Sequence, residues 1–416
     1  MRYTLFLFLF IFLQAGAQPT APRITPGAER LSVYLPLIKG KKLGIFANQT
    51  SMVGNTHLVD TLRKLGVHIS VIFGPEHGFR GTADAGEKVS NYNDPATGIP
   101  VVSLYGPKRK PDADDLKDVD ILVFDIQDVG VRFYTFISSL EEFMETAFEN
   151  GIPFLLLDRP NPNGHYVDGP VLDRKYRSFV GMQPVPVVYG MTIAEYAMMI
   201  AGEQWLSDKA NARFAYYRNA QNSADTPFHF QVIKCANYTH KSYYELPVKP
   251  SPNLPDIQSI YLYPSTCFFE GTVLSEGRGT SRPFQLFGHP SLPKNLFSFT
   301  PQPNEGAKKS KCYGQRCYGW DLGGIPEDVR AKVNNRLQLK WLQEAWRLFP
   351  QKDSFFLLPK SGNMEQSFFT KLAGNNELWQ QIRDGKKEEE IRRSWEPGLT
   401  KFKEIRKKYL LYTDFE

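Results

Sequence analysis

The sequence is poor in cysteine, with four in 416 residues. Four are far too few for a scaffold held together by disulfides, so we expect these cysteines to be structural rather than catalytic. Cys312 and Cys317 have four residues between them and could close a small bridge or supply half of a zinc site. Since Cys235 and Cys267 do not form a second such pair, no metal site is predicted.

Long hydrophobic runs are also missing, because after residue 17 no segment approaches the roughly 20 apolar residues that cross a bilayer. No integral membrane segment is therefore predicted. The marked apolar run, residues 3–13, follows Arg2 and precedes Ala15-Gly16-Ala17, which is the pattern of a cleavable signal peptide over residues 1–17. We expect export to the periplasm or the medium. No cysteine follows the cleavage site, so a lipoprotein is not expected.

The chain has no strong excess of one charge, with 50 Lys and Arg residues against 44 Asp and Glu residues. The basic stretches are short, and no nucleic-acid surface is predicted. The sequence contains no Walker loop, no HExxH and no G-x-S-x-G motif. Gly277 and Gly279 lack the third glycine of a dinucleotide fingerprint, so no cofactor is predicted.

Short apolar runs and helical patterns alternate in the first part of the chain. Strands are predicted over 43–47, 67–73, 121–124 and 153–157, and helices over 58–65 and 138–150. This alternation predicts an α/β fold with a doubly wound parallel sheet.

The second part of the chain has a different pattern. Thr192 and Glu195 form a predicted capping box that opens a helix. Residues 228–300, including 268–274, are interpreted as strands and loops, and 341–348, 378–383 and 402–410 as a helical tail. We place a domain boundary near residue 185, which gives a first domain over 18–185 and a second over 186–416.

Polar residues follow three predicted strands of the first domain. In an open parallel sheet, ligands bind beyond the carboxyl ends of the strands. Loops from one sheet edge would therefore surround a single crevice suited to hydrolysis or group transfer. The candidates are Glu76 and His77 in the first loop, Asp125, Asp128, Arg132 and Tyr134 in the second, and Asp158, Arg159 and Asn163 in the third.

Residues 269–282 of the second region are interpreted as a polar substrate wall, with Glu276, Arg278 and Arg282 as its charged side chains. Structural roles compete with these assignments. The acidic residues of the second loop could cap a turn or helix, and the third loop could hold a local ion pair. Arg278 and Arg282 could pair with Glu270 or Glu276 instead of a ligand.

Five separated motifs together resemble the bacterial exo-β-N-acetylmuramidases, the NamZ-type glycoside hydrolases. The likeness spans nearly the whole chain after residue 17. The motifs are Gly74-Pro75-Glu76-His77-Gly78, Asp125 to Gly130 with Arg132-Phe133-Tyr134, Asp158 to Asn163, Glu270-Gly271-Thr272 with Ser275 to Thr280, and Lys371-Leu372-Ala373-Gly374.

The resemblance implies a Rossmann-like domain and a second, smaller α/β domain, with the active site in the cleft between them. It implies release of N-acetylmuramic acid from the non-reducing end of peptidoglycan glycan fragments, as in cell-wall turnover and recycling. It also implies that Glu76 is catalytic. The partners expected are muramyl saccharides.

Glycoside hydrolysis needs an acid and a second group that supplies or activates the nucleophile. Glu76, flanked by Phe73 and Phe79, is the predicted acid. Asp125 or Glu276 could be the base or nucleophile, or the acetamide of the substrate could attack. The sequence leaves retention, inversion and substrate assistance open.

Substrate binding is predicted for His77, Asp128, Arg132, Tyr134, Asn163, Arg278 and Arg282. Arg132, Arg159, Arg278 and Arg282 are the candidates for binding the lactyl carboxylate of muramic acid, and Arg278 or Arg282 is favoured.

Two alternatives remain from the sequence. A metal-dependent hydrolase could use His77, Asp125, Asp128 and His165 as ligands. A non-catalytic glycan-binding protein would need only the cleft and its aromatic side chains.

Overall fold

The computed structural model describes residues 22–81, 90–219 and 228–416. The predicted signal peptide, residues 1–17, lies outside the described residues. Among the described residues, none of the helices has the length and apolar character needed to cross a membrane.

Within these residues the strands are short and fall into two main sheets and a small hairpin. In chain order they are β1 (Lys42–Ala47), β2 (Met52–Val53), β3 (Thr56–His57), β4 (His68–Gly74), β5 (Tyr92–Asn93), β6 (Pro100–Ser103), β7 (Ile121–Asp125), β8 (Phe154–Leu157), β9 (Phe230–Ile233), β10 (Leu286–His289), β11 (Phe297–Phe299) and β12 (Cys317–Asp321).

The α-helices of the described residues surround these sheets. They are α1 (Leu31–Ile38), α2 (Leu58–Lys64), α3 (Ala113–Leu116), α4 (Phe136–Asn150), α5 (Ile193–Gly202), α6 (Asp208–Asn219), α7 (Ile257–Thr266), α8 (Pro326–Val333), α9 (Leu339–Leu348), α10 (Phe368–Ala373), α11 (Leu378–Arg383) and α12 (Glu388–Lys407).

The large sheet has the order β5-β6-β4-β1-β7-β8-β9 in the described part of the chain. All its neighbouring strands are parallel except β5 and β6. Numbered by themselves in chain order, the parallel strands follow the order 3-2-1-4-5-6, which is that of a Rossmann fold. The predicted α/β class and the Rossmann-like doubly wound sheet are therefore confirmed.

Consecutive side chains of a strand point to opposite faces of the sheet. Both faces of this sheet are buried. Phe46, Phe73 and Phe124 lie on one face and pack around Phe143 of α4. Ile45 and its neighbours lie on the other face, where they pack against α1 and α2. The first face continues without a break into the core of the second region.

The second region contains a three-stranded antiparallel sheet, β10-β12-β11, packed among helices α7 to α12. The predicted capping box of α5 is present, with Thr192 and Glu195 each bonded to the other's backbone. Residues 268–274 do not form the predicted strand; a 3₁₀ helix covers Cys267–Gly271. The domain boundary near residue 185 stays a prediction, while β9, which follows it in the chain, completes the large sheet.

Asp158, directly after β8, is buried beneath the C-terminal residues. Its carboxylate accepts hydrogen bonds from the Ala194 backbone at the start of α5 and from the Tyr412 hydroxyl. Burial raises the pKa of Asp158 to about 7, against the lowering effect of the Tyr412 hydrogen bond. The unfolded chain has an aspartate pKa of about 3.9. The folded state therefore binds this proton more tightly than the unfolded state does.

We expect Asp158 to make the protein less stable as pH rises from about 4 to about 7, by up to about 1.4 kcal/mol per pH unit. Asp158→Asn should flatten this dependence, because an amide does not ionise. Urea unfolding of both proteins across this range measures the difference between their slopes. Equal slopes would contradict the assignment of the proton to Asp158.

Candidate active site

A cleft beyond the carboxyl end of β4 and beside the start of α4 holds about 440 Å³ of empty space, counting the part open to solvent. Its lining comes from the first domain on one side and from residues after 250 on the other. The described lining residues are Glu76, His77, Phe133, Tyr134, Thr135, Phe136, Ser251, Asn253, Leu254, Tyr263, Arg278 and Phe284.

Glu76 lies in a tight turn directly after β4. The Gly78 amide donates to the Pro75 carbonyl at 2.9 Å, and His77 and Gly78 both have positive φ, 70° and 75°. Glycine adopts this backbone conformation without strain, whereas at His77 it is uncommon. Such strain often accompanies functional sites, and here it presents the half-buried Glu76 carboxyl and the His77 ring to the cavity.

Two hydroxyl groups donate hydrogen bonds to the Glu76 carboxylate. Tyr105 bonds Oε1 at 2.8 Å, and Thr135 bonds Oε2 at 3.2 Å. Burial, followed by the nearby Glu76 charge, raises the pKa of Tyr105, so the phenol remains a neutral donor. The carboxyl is thus held at both oxygens by groups that can rotate their protons.

Aromatic side chains line both walls of the cleft, and the wall opposite Glu76 also carries a guanidinium. The Tyr134 hydroxyl donates to the Pro250 carbonyl at 2.9 Å, which joins the two sides of the cleft. The Tyr134 ring meets that of Tyr263 edge to face, and Tyr263 meets Phe284 in the same way. Arg278 lies over the Phe284 ring, 5.2 Å from its centroid.

Arg278 is a quarter exposed and sits between two acidic residues. Its Nη2 atom is 2.8 Å from Glu270 Oε1, and its Nε atom is 3.8 Å from Glu276 Oε1. Lys311 completes the group, with Nζ 2.9 Å from Glu276 Oε2. These four residues are called the charge cluster below.

The two carboxyls of the charge cluster have pKa values shifted in opposite directions. Burial raises the pKa of Glu270, and although Arg278 opposes that shift, the charges of Glu276 and Glu76 add to it. Burial also acts to raise the pKa of Glu276, but Lys311 and Arg278 outweigh it and hold that pKa below its usual range. Glu276 is therefore the ionised partner of Lys311.

The structure brings four of the predicted site residues together in the cavity: Glu76, His77, Tyr134 and Arg278. The others lie elsewhere. Glu276 is behind Arg278 in the charge cluster. Arg282 pairs with Asp321, its Nη2 atom 2.8 Å from Oδ2, so it joins neither Glu270 nor Glu276.

Asp125 does not reach the cavity lining. It is fully buried and forms a two-point ion pair with Arg159, whose Nε and Nη2 atoms lie 2.6 and 2.8 Å from its carboxylate oxygens. This pair fills the position next to β1 where the strand order reverses, the usual ligand position in such sheets. The cavity lies instead beyond β4, beside the start of α4.

Asp128 and Asn163 hydrogen-bond to other parts of the protein. Asp128 accepts hydrogen bonds from the Gly130 amide at 2.6 Å and from the Tyr189 hydroxyl, and burial raises its pKa to about 6. The Asn163 amide donates to the carbonyls of Val129 and Ile260. Neither belongs to the described cavity lining, so the geometry gives both a structural role.

Arg132 is fully buried, and its guanidinium donates to the carbonyls of Pro170, Val185 and Leu372 at 2.7 to 2.8 Å. Gly374 has φ of +74°, and a Cβ there would lie 2.7 Å from Arg132 Nη2. Arg132 of the first domain therefore packs directly against Gly374. Arg132 joins the two domains and is not placed to bind a ligand.

Several lining residues were not among the sequence candidates, and neither was Tyr105, which bonds Glu76 from outside the described lining. Tyr105 follows β6, a strand that the sequence pattern does not predict, and Thr135 follows Tyr134 directly. The signal for Tyr105 is its position just after β6, because the other candidates also follow the ends of strands. Ser251 and Asn253 lie in a Ser-Pro-Asn-Leu-Pro segment, a polar turn with no distinctive catalytic spacing.

Among the described residues, no group of three or more His, Cys, Asp or Glu side chains is placed to hold a metal ion. The four alternative ligands are also separated. His77 lines the cavity, Asp125 pairs with Arg159, Asp128 bonds Tyr189, and the His165 ring packs against Tyr243 and Tyr261.

The cleft between the Rossmann-like domain and the second region holds a carboxyl bonded by two hydroxyl donors, with an arginine opposite. A carboxyl placed in this way can serve as the acid of a glycoside hydrolase. The family comparisons agree. Residues 43–258 match the N-terminal model, and 261–412 the C-terminal model, of the exo-beta-N-acetylmuramidase NamZ family. The chain belongs to this family.

Individual relatives cover nearly the whole chain. The peptidoglycan beta-N-acetylmuramidase NamZ of Bacillus subtilis is 36% identical over 99% of this chain and 100% of its own. Two solved structures of DUF1343 family proteins from Bacteroides fragilis each cover 94% of this chain and 100% of their own. One is 41% identical with a TM-score of 0.79, and the other 27% identical with a TM-score of 0.72.

Proposed function

We propose that the protein is an exo-acting glycoside hydrolase that releases N-acetylmuramic acid from the non-reducing end of peptidoglycan glycan fragments. The observation that carries the proposal is the position of Glu76. The family match spans both domains, and Glu76 is the carboxylate that the described lining presents to their cleft.

Glu76 is assigned as the general acid. In its protonated form it donates to the oxygen of the leaving sugar, which develops negative charge as the glycosidic bond breaks. The hydroxyls of Tyr105 and Thr135 fix the plane of the carboxyl and can turn to accept or donate as its proton moves. His77 and Tyr134 are assigned to hold the terminal sugar beside it.

The acetamide of the substrate fits the described lining better as nucleophile than a second carboxylate does. Asp125 is paired with Arg159, and Glu276 with Lys311. An acetamide that attacks its own anomeric carbon needs groups that orient it rather than a protein nucleophile. Tyr134 and Asn253 belong to the described lining and are assigned this orienting role.

The predicted signal peptide favours a role in cell-wall turnover. The pattern of residues 1–17 is that of a signal peptide, and peptidoglycan fragments are found outside the cytoplasm. We place the protein in the periplasm or the medium on this ground. Mass spectrometry of the mature N-terminus checks it.

The test of function is incubation with a disaccharide whose non-reducing sugar is N-acetylmuramic acid, followed by identification of the released sugar. We expect free N-acetylmuramic acid, and little release from the matched disaccharide with N-acetylglucosamine at that end. The Glu76→Gln protein is the control for contaminating activity. Binding without turnover would favour a glycan-binding protein and overturn the proposal.

Arg278 is the arginine assigned to the lactyl carboxylate. Of the four candidates, it alone belongs to the described cavity lining. Its guanidinium has five N–H donors and can hold more than the one partner at Glu270. Charge-assisted hydrogen bonds of this kind contribute about 1.5 to 3 kcal/mol.

We expect Arg278→Ala to reduce the preference for muramic acid over glucosamine substrates by about 10- to 100-fold in kcat/KM. Arg278→Lys, which keeps the charge but not the planar fork, should recover part of it. Arg282→Ala is the matched control, because its partner Asp321 lies outside the described lining. A reduction in the control alone would move carboxylate recognition to Arg282.

A further inference from the structure

We propose that Tyr105 is a positioning residue that orients the Glu76 carboxyl and stabilises its ionised form through a hydrogen bond, with Thr135 as its partner. The inference rests on the assignment of Glu76 as general acid. It adds a function to two residues that hydrogen-bond Glu76.

The sheet delivers Tyr105 to Glu76. Strands β4 and β6 are parallel neighbours, and the Leu104 amide donates to the Gly74 carbonyl at 2.9 Å, directly beyond the paired residues. Glu76 follows one strand end and Tyr105 the other, so the register of the two strands fixes the distance between them. The Tyr105 ring packs against Phe179, which itself lies under Arg109.

Thr135 occupies the N-cap position of α4 without capping it. A threonine there ordinarily accepts a hydrogen bond from a backbone N–H of the first turn. In this structure its side chain makes no capping bond, and the hydroxyl donates to Glu76 Oε2 instead. The helix gives up a local stabilising contact, and the carboxylate gains a donor.

Both donors favour the ionised carboxylate, because an O–H group donates more strongly to a charged oxygen than to a neutral one. Other groups also act on Glu76. His77 and Tyr134 line the same cavity, Arg278 faces it from the second domain, and Glu270 interacts electrostatically with it. Removing one hydroxyl at a time isolates its effect from this common background.

The experiment compares Tyr105→Phe and Thr135→Val with the wild type in kcat against pH. A general acid must be protonated, so kcat falls on the alkaline side as the acid ionises. Loss of the Tyr105 donor should move that fall upward by about one pH unit. It should also lower the maximal kcat roughly 10-fold or more through misalignment, with little change in KM. Thr135→Val should shift the fall less.

Tyr409→Phe is the matched control. The Tyr409 hydroxyl also donates to a glutamate, Glu203, at 2.8 Å, and neither residue belongs to the described cavity lining. Its removal should leave the pH profile in place. A drop in kcat for Tyr105→Phe with an unmoved profile would show a packing role and overturn the inference.

A second readout needs no substrate. Carbon NMR of protein labelled at the glutamate carboxyls follows the Glu76 signal, assigned by its loss in Glu76→Gln. The inference requires Tyr105→Phe to shift the titration of that signal upward, and an unshifted titration would overturn it. Absence of turnover in the wild type would instead count against the proposed function, so the two failures are distinct.

Discussion

Glu76→Gln is expected to lower turnover of a muramyl disaccharide by about 10²- to 10⁴-fold, the usual contribution of general acid catalysis. The amide keeps the shape of the side chain but has no proton to give to the leaving oxygen. Folding should be unaffected, because the amide oxygen still accepts from one hydroxyl and the other hydroxyl can turn to accept from the NH₂ group.

The leaving group separates proton donation from other roles of Glu76. In a nitrophenyl glycoside of muramic acid, the nitrophenolate leaves without being protonated. The loss of turnover in Glu76→Gln should therefore be much smaller on that substrate. Glu203→Gln is the matched control, since Glu203 likewise accepts a hydrogen bond from a tyrosine hydroxyl but does not belong to the described cavity lining. Wild-type turnover by Glu76→Gln on the unactivated disaccharide would remove Glu76 from the mechanism.

Asp125→Ala is expected to lower the free energy of unfolding by about 3 to 5 kcal/mol, because it leaves the Arg159 charge buried without its partner. Arg159 is 3% exposed, and both of its short contacts to a carboxylate are with Asp125. Urea unfolding gives the stability, and kcat of the protein that remains folded gives the chemistry. We expect kcat to stay close to that of the wild type.

A double variant provides the control for Asp125. Replacing buried ion pairs by apolar residues of similar size is often close to neutral, so Asp125→Leu with Arg159→Met should be more stable than Asp125→Ala. If the Asp125→Ala protein is stable and its turnover falls as far as that of Glu76→Gln, Asp125 has a catalytic role and the structural assignment is wrong.

The sequence predicts the large sheet well because its strands are apolar and bounded by turns. The predicted runs at 43–47 and 121–124 match β1 and β7 to within one residue at each end. Strand β6 has only four residues and starts at a proline, so no periodicity marks it. Because β6 is not predicted from the sequence, Tyr105, which follows it, is not predicted as a site residue either.

The site was harder to predict because charged residues at strand ends serve two purposes. Asp125, Arg132 and Asn163 occur in loops that a ligand site would use, yet their partners in the structure are other parts of the protein, which include Arg159, Leu372 of α10 and Val129. Nothing in a sequence pattern distinguishes an arginine that meets three carbonyls from one that meets a substrate. That difference depends on residues hundreds of positions away, such as Leu372.

The buried guanidinium of Arg132 has a consequence for how substrate enters. Opening the cleft like a hinge would separate the buried guanidinium from carbonyls of one domain or the other, and each such hydrogen bond to a charged group contributes about 1.5 to 3 kcal/mol. These contacts oppose hinge opening. We therefore expect the terminal sugar to be selected by the shape of the cleft as it stands more than by closure around the chain.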